Sequence, residues 1–377
     1  MRKYTITLLA LVLALALLAG CSAIAPREKT IILSEEIVVA GEETNDPAQQ
    51  SFEVKKITKL PLEKLDPTGN HPGMDHAVIG WIDEDNLAAM SVQNVQVEPE
   101  AEEEAAEEAA PETHVMTQFV RIHSQYGFFD PILTLQDVAA ECYDISADGM
   151  LAAFVEGNRL DVYSLGSGTL VQTLQRQVLA SRVTFAQTGH TLYFTEAGDE
   201  KLLEKFNADN GVASGVLSGK SYRVLDANDH GMVVCTQADG SQVLGYYDGQ
   251  NFQDELLDKK ARAGSCGVLP DGEGLVVYGG DLYLLNEDGV KLAGDSVTAF
   301  DIAPDGMHIA FSRRNDDGTV DILVGYWSGS RIINEKLTYK DLGIEVNAMY
   351  FSPNQDRLYL QGLDETGALT AYTFEFR

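Results

Sequence analysis

Phe300-Asp-Ile-Ala-Pro-Asp-Gly-Met-His-Ile-Ala-Phe311 reads as two short apolar strands joined by a tight polar turn. Apolar residues flanking Pro-Asp-Gly mark a β-hairpin, because a turn between paired strands needs a positive φ that glycine adopts without steric cost. The same layout recurs at Tyr143 to Phe154, Val183 to Phe194, Val224 to Val234, Val268 to Val277 and Met349 to Leu360, and more loosely at Ile79 to Met90. The turn residues Gly149, Gly189, Gly231, Gly272, Gly306 and Gln355 are spaced by 40, 42, 41, 34 and 49 residues, and Gly is expected to take a positive φ there. Most hairpins are followed by a third and a fourth strand, as in Arg159-Leu-Asp-Val-Tyr-Ser164 and Thr169-Leu-Val-Gln-Thr-Leu174. Four short strands in about 40 residues, repeated seven times, specify an all-β fold, a seven-bladed β-propeller. The last unit shows only three strands, ending at Ala371 to Phe376, so Ser51 to Leu60 is expected to close the ring as the outer strand of the seventh blade.

Ala303-Pro-Asp-Gly-Met-His-Ile-Ala-Phe311 and Phe351-Ser-Pro-Asn-Gln-Asp-Arg-Leu-Tyr-Leu360 resemble the repeat units of TolB-like and WD-repeat propellers. The resemblance implies a propeller over residues 51–377. No unit carries the Trp-Asp ending of WD repeats, and nothing is similar to the amino-terminal domain of TolB. The likeness therefore implies a fold and leaves function to the residues.

Two further segments lie outside or interrupt the repeats. Arg2 and Lys3 precede an apolar run from Tyr4 to Leu18, the layout of a secretory signal peptide, and the run is shorter than the roughly 20 residues that cross a bilayer. Leu18-Ala-Gly-Cys21 resembles the lipobox of bacterial lipoproteins. That resemblance implies cleavage after residue 20, lipidation of Cys21 with acyl chains such as palmitate, and attachment to the extracytoplasmic side of a cell-envelope membrane. Residues 21–50, polar and acidic, read as the anchor and its tether. Residues 97–113 hold Glu98, Glu100, Glu102, Glu103, Glu104, Glu107, Glu108 and Glu112 among Ala and Pro, with no apolar stripe to pack, and are expected to form an exposed insertion in the first unit.

Composition narrows the partners. Lys and Arg number 27 against 58 Asp and Glu, a formal charge of -31, and a surface of that sign repels phosphate backbones. Nucleic acid is excluded as a partner on this ground, and a protein or a small cationic ligand fits better. Beyond Cys21 the cysteines are Cys142, Cys235 and Cys266, an odd number in strand-like runs, which points to buried free thiols and no disulfide framework.

Motifs for chemistry are sparse. The seven histidines show no metal-ligand spacing, and no glycine-rich phosphate loop or nucleophile elbow is present, so no metal and no cofactor are expected. Asp226-Ala-Asn-Asp-His-Gly231 begins like a calcium loop, but Gln237 stands where the bidentate Glu is required, and a β-turn is the simpler reading. Gly166-Ser-Gly168 reads as a hairpin turn. The position eight residues before each turn residue is expected to open the innermost strand at the channel mouth. There stand Val78, Glu141, Ser181, Arg223, Gly264, Thr298 and Asn347, with Arg182 next to Ser181. Glu141, Arg182, Arg223, Thr298 and Asn347 are thus the candidate ligand-binding residues, against the alternative that they bond edge backbone and channel water. The reading that results is a membrane-anchored extracytoplasmic binding or scaffold propeller without a catalytic constellation. The alternatives are a lactonase-like or sialidase-like hydrolase and an envelope assembly factor.

Overall fold

The repeats form seven four-stranded antiparallel sheets. They are seen in a computed structural model that describes residues 52–62, 78–97, 112–136, 142–156, 159–175, 178–196, 202–238, 241–254, 256–257 and 263–377. Blades 1 to 6 span residues 78–136, 142–175, 178–218, 222–253, 263–294 and 297–342 in chain order. Blade 7 takes its first three strands from residues 344–376 and its outer strand from Val54–Leu60. In every blade the first strand of the repeat packs against its counterparts in the neighbouring blades, so these strands line the axis. The signal-peptide, Cys21 and tether expectations lie outside the described residues.

Ring closure follows the expected route. Val54–Leu60 runs antiparallel to Leu369–Phe376, with Val54 opposite Phe376 and Leu60 opposite Ala371. Phe52 is buried just before this strand, its ring edge-on to Phe376 at 5.3 Å and to His308 at 5.0 Å. Arg377 N donates to Glu53 O at 3.0 Å, joining the two ends of the propeller.

There is no single central core. Successive side chains of a strand point to opposite faces, and the central strands are apolar at consecutive positions, as in Leu151 to Val155 and Leu275 to Tyr278, so both faces of a blade are apolar and each pair of adjacent blades encloses one wedge. The described residues hold seven such clusters, one per interface. Phe119 and Phe154 meet between blades 1 and 2, Phe194 and Phe206 face back to Val162 of blade 2, and Leu358, Leu360 and Phe374 of blade 7 meet Ile322 and Val324 of blade 6. Burying one such side chain is worth roughly 1.5–3 kcal/mol, so stability is spread evenly round the ring and depends on every interface being present.

The structure adds three local details. First, the inner hairpins differ in length. The backbone bonds that close them span five residues in blades 2, 3, 6 and 7 (Ser146 N to Leu151 O, and Ala186, Ala303 and Ser352 likewise), but four in blades 1 and 5 and three in blade 4, where Asn228 N donates to Gly231 O. Gly149, Gly189, Gly272, Gly306 and Gln355 take the expected positive φ. Gly231 does not, and it is glycine for another reason, since a Cβ there would lie 2.2 Å from Gly272 O of the next blade. Second, the strands on either side of the acidic insertion reach Val97 and Glu112. The second and third strands of blade 1 each run 12 residues and stay in register out to Val97 opposite Glu112, so the ends of that segment belong to a hairpin ladder. Residues 98–111 lie outside the described residues. Third, Cys235 is a buried free thiol as expected, whereas Cys266 is free but only half-buried.

Closure through the first strand carries a measurable consequence. A chain beginning at residue 51 is expected to melt as the full-length domain does. A chain beginning at residue 63 loses the outer strand of blade 7 together with Phe52, Ile57 and Leu60, and it exposes the edge of Leu369–Phe376. Thermal denaturation and light scattering should show a sharply lower melting temperature or aggregation, and equal stability of the two chains would contradict this closure.

Candidate functional site

One repeat position on the inner strand decides how the blades meet. Measured from the residue whose N–H closes each inner hairpin, it lies two residues earlier, and in blade order it holds Gly80, Asp144, Thr184, Asp226, Gly267, Asp301 and Tyr350. Where Asp or Thr stands there, its side chain reaches the next blade. Asp144 Oδ2 accepts from Phe185 N at 2.7 Å, Asp226 Oδ2 from Val268 N at 2.8 Å, and Asp301 Oδ2 from Phe351 N at 2.6 Å. Thr184 Oγ1 donates to Val224 O at 3.0 Å. Where glycine stands, the neighbour's side chain fills the room. A Cβ on Gly80 would lie 3.3 Å from Ile145, and one on Gly267 would lie 2.9 Å from Ile302. The ring is completed where Trp81 Nε1 donates to Tyr350 O at 2.9 Å.

The carboxylates at this position are electrostatically costly. Burial pushes Asp226 up to about 7, and the charge of Asp144 adds to the effect, although bonds from Val268 N and Gln187 Nε2 favour its ionised form. Asp301 is likewise pushed up to about 7, first by burial and further by Asp226, against the bond from Phe351 N. Groups that titrate near neutrality could in principle exchange protons. Here one oxygen of each is committed to a backbone N–H of the adjacent blade, which makes a structural role sufficient. Among the described residues no group of three His, Cys, Asp or Glu side chains is placed to hold a metal ion.

In blades 2 to 7 the channel-mouth position keeps one register, five residues before the residue whose N–H closes the inner hairpin, and only Val78 of blade 1 stands one residue nearer. Counting eight residues back from the turn lands on the first residue of the inner strand in blade 1, the second in blades 4, 5 and 6, and the fourth in blades 3 and 7. Val78 is fully buried and Gly264 is exposed. Arg223 is half-buried on the inner strand of blade 4. Thr298 and Asn347 sit in β-bulges of blades 6 and 7, which turn them out of the regular alternation. Thr298 Oγ1 lies 2.7 Å from Ser312 Oγ, and Asn347 Oδ1 accepts from Gln361 Nε2 at 3.5 Å, each within its own blade. Ser181 and Arg182 belong to the inner strand of blade 3, and Glu141 lies outside the described residues. The inter-blade position lies five residues before the turn residue in blades 2 to 7, and the sequence reading missed it by taking the position three residues earlier. The signal was present as the Asp two residues before Ser146, Asn228 and Ala303.

A second feature is the end of the ring at which the first-to-second and third-to-outer hairpins emerge. Exposed carboxylates stud it, among them Asp83, Glu84, Asp85, Asp148, Asp209, Asp229 and Asp271. Beside Asp83-Glu84-Asp85, held there by Ser124 N donating to Asp85 O at 2.9 Å, the turn of residues 124–128 presents Tyr126 and Phe128, exposed by 63% and 70%. Their ring centroids are 6.0 Å apart, and His123 lies 4.7 Å from Tyr126. Met150 of blade 2 is also exposed on this end. His190 ties two of the turns together, with Nδ1 2.6 Å from Asp209 and Nε2 2.9 Å from Asp148. Its bond to Asp209, helped by Asp148, holds the imidazole above its ordinary range despite partial burial.

No protein-family model matches the sequence. No curated protein matches it either. Among solved structures, a chain of the crystal structure of the mitotic checkpoint complex is similar over 92% of this chain and 99% of its own, with a TM-score of 0.51 and 13% identity. The RRP9 WD40 repeats match over 70% of this chain and 91% of theirs, with a TM-score of 0.45 and 12% identity. An oligogalacturonate lyase from Vibrio parahaemolyticus matches over 70% and 86%, with a TM-score of 0.46 and 11% identity. At these identities the likeness is one of fold. The chain is a seven-bladed β-propeller of the kind that WD40 and other propellers share.

The channel acids make stability depend on pH in a calculable direction. Asp226 and Asp301 titrate near 3.8 when unfolded and about 7 when folded, so across that window the folded chain holds more protons than the unfolded one and stability falls as pH rises. His190 acts in the same direction at higher pH. Its contribution is whole below 6.5 and is lost as pH rises through the raised folded value. Asp226→Asn and Asp301→Asn keep an oxygen acceptor for the neighbouring N–H but remove the charge. Melting temperatures between pH 4.5 and 8 should therefore decline less steeply in either variant than in the parent. An unchanged slope in both would contradict the assignment.

Proposed function

We propose that the protein is a binding or scaffold propeller tethered to the extracytoplasmic side of a membrane through lipid on Cys21, and that it engages a basic protein segment or small cationic ligand. The observation that carries the binding role is the acidic hairpin end of the ring with its exposed Tyr126 and Phe128. Carboxylates and aromatic faces together suit Lys and Arg side chains, through ion pairing and cation–π contact. Rigid blades present these turns at fixed positions, as loop-borne sites on stable scaffolds generally require. The net charge of -31 draws cationic partners toward the molecule and sets anionic polymers aside. The chain it resembles over most of its length belongs to a multiprotein assembly, the mitotic checkpoint complex, which accords with a scaffold role. The tether rests on the lipobox-like Leu18-Ala-Gly-Cys21, the charged start and the short apolar run. Glu141, Arg182, Arg223, Thr298 and Asn347 are the second locus at which a small ligand would enter, at the channel.

Two measurements test the reading. Intact-mass analysis of membrane-extracted protein should give a chain that begins at Cys21 and carries acyl chains, with Cys21→Ala released from the membrane fraction. A mature chain beginning elsewhere would refute the anchor. For binding, a photo-crosslinking residue in place of Tyr126 should capture discrete partners in intact cells, in a salt-sensitive way, while the same group in place of the exposed Leu292 on the outer strand of blade 5 should not. Equal capture at both positions would remove the assignment of this face.

A further inference from the structure

We propose that the wedge between blades 3 and 4 binds a small organic monocarboxylate, held by the ammonium of Lys205 and the hydroxyl of Tyr193. The site goes beyond the binding role above and does not depend on the tether.

The starting observation is a break in the repeat. On the third strand of each blade, one residue stands opposite the second-strand residue two places beyond the bond that closes the inner hairpin. In six blades that residue is buried or half-buried against the next blade: Arg121, Val162, Tyr246, Leu284, Val324 and Thr373. Blade 3 places Lys205 there, opposite Tyr193, and Lys205 is exposed. An ammonium cannot fill an apolar wedge without a partner, so the wedge opens. The result is a cleft of about 210 Å³ whose walls include Tyr193, Lys205 and Val216 of blade 3 and His230, Met232 and Tyr247 of blade 4.

Two polar groups in this cleft are unspent. Lys205 forms no ion pair with any described residue, in a chain with a net charge of -31. Tyr193 is only 8% exposed, yet its hydroxyl bonds no described residue. Burial, with Asp229 and Tyr247 nearby, pushes the Tyr193 phenol up, so it stays protonated and donates. Tyr247, by contrast, is committed, donating to Gly249 O at 2.8 Å. Tyr193 and Lys205 stand opposite each other on adjacent strands, so one ligand oxygen can accept from both donors.

Ligand class follows from charge and size. Two donors, one of them cationic, call for an anionic oxygen. Asp229 also lines the cleft, so a dianionic phosphate would bring two negative charges to one ammonium beside a carboxylate, whereas a carboxylate brings one. Val216, Met232 and the Tyr247 ring offer an apolar wall. The volume is below the roughly 300–1,000 Å³ of drug-sized sites, which limits the body of the ligand to about one ring.

Met232 is a built-in reporter. In protein labelled with 13C-methyl methionine, with the Met232 signal assigned by its loss in Met232→Leu, benzoate should shift that methyl saturably, and benzamide should bind at least about tenfold more weakly. Lys205→Met should weaken benzoate at least about tenfold with the melting temperature retained. Lys205→Arg should restore most of the affinity, and Tyr193→Phe should lose several-fold. Benzamide matching benzoate, undiminished binding in Lys205→Met, or no saturable shift would each overturn the proposal. Phenyl phosphate binding more tightly than benzoate would overturn the monocarboxylate assignment. None of these outcomes bears on capture at Tyr126 or on the lipid at Cys21, so the two readings fail separately.

Discussion

Everything in this ring depends on how one inner strand meets the next. At a single repeat position the side chain of one blade reaches the backbone of its neighbour, as Asp144, Asp226 and Asp301 do with Phe185, Val268 and Phe351. A backbone N–H at the axis of a propeller has few partners, because the sheet ladder uses only one edge of the innermost strand. A carboxylate satisfies it with a charge-assisted bond, which is stronger than a neutral one. Where the position is Gly80 or Gly267, an isoleucine from the next blade fills the space.

That solution places acids close together. Asp226 feels Asp144, and Asp301 feels Asp226, so each added carboxylate makes the next harder to ionise. The polar inter-blade bonds therefore hold the ring in register more than they stabilise it, since desolvation offsets much of what they contribute. Net stability lies in the seven apolar wedges. This division explains why the outer strand Val54–Leu60 matters although it is far from the axis: without it one wedge loses Ile57 and another loses Leu60, and the ring has an open interface.

The two proposed sites lie where the repeat is broken. Lys205 stands where the other blades pack a residue, beside a cleft, and the turn of residues 124–128 presents Tyr126 and Phe128 to solvent. The regular positions are occupied by packing and by inter-blade bonds. A propeller offers many equivalent positions, so a departure at one of seven is visible by comparison within the molecule itself.

Much of the fold was legible in the residues. Alternation around Pro-Asp-Gly and its analogues specifies hairpins, the spacing of about 40 residues specifies blades, and three evident strands in the final unit require a fourth from Ser51 to Leu60, because each of these follows from local backbone geometry or from the need to cover an edge. The inter-blade position keeps a distance of five residues from the turn residue in blades 2 to 7, but its role was not legible, because Asp, Thr, Gly and Tyr share no pattern until the contacts with Phe185, Val224, Val268 and Phe351 are seen. The cleft at Lys205 was equally hidden. A lysine in Leu202–Asn207 reads as an ordinary exposed strand residue until pairing with Tyr193 places it against the next blade. Local sequence thus determined the strands, their turns and their number, whereas register between strands and contact between blades, which join residues far apart in the chain, decided which side chains meet.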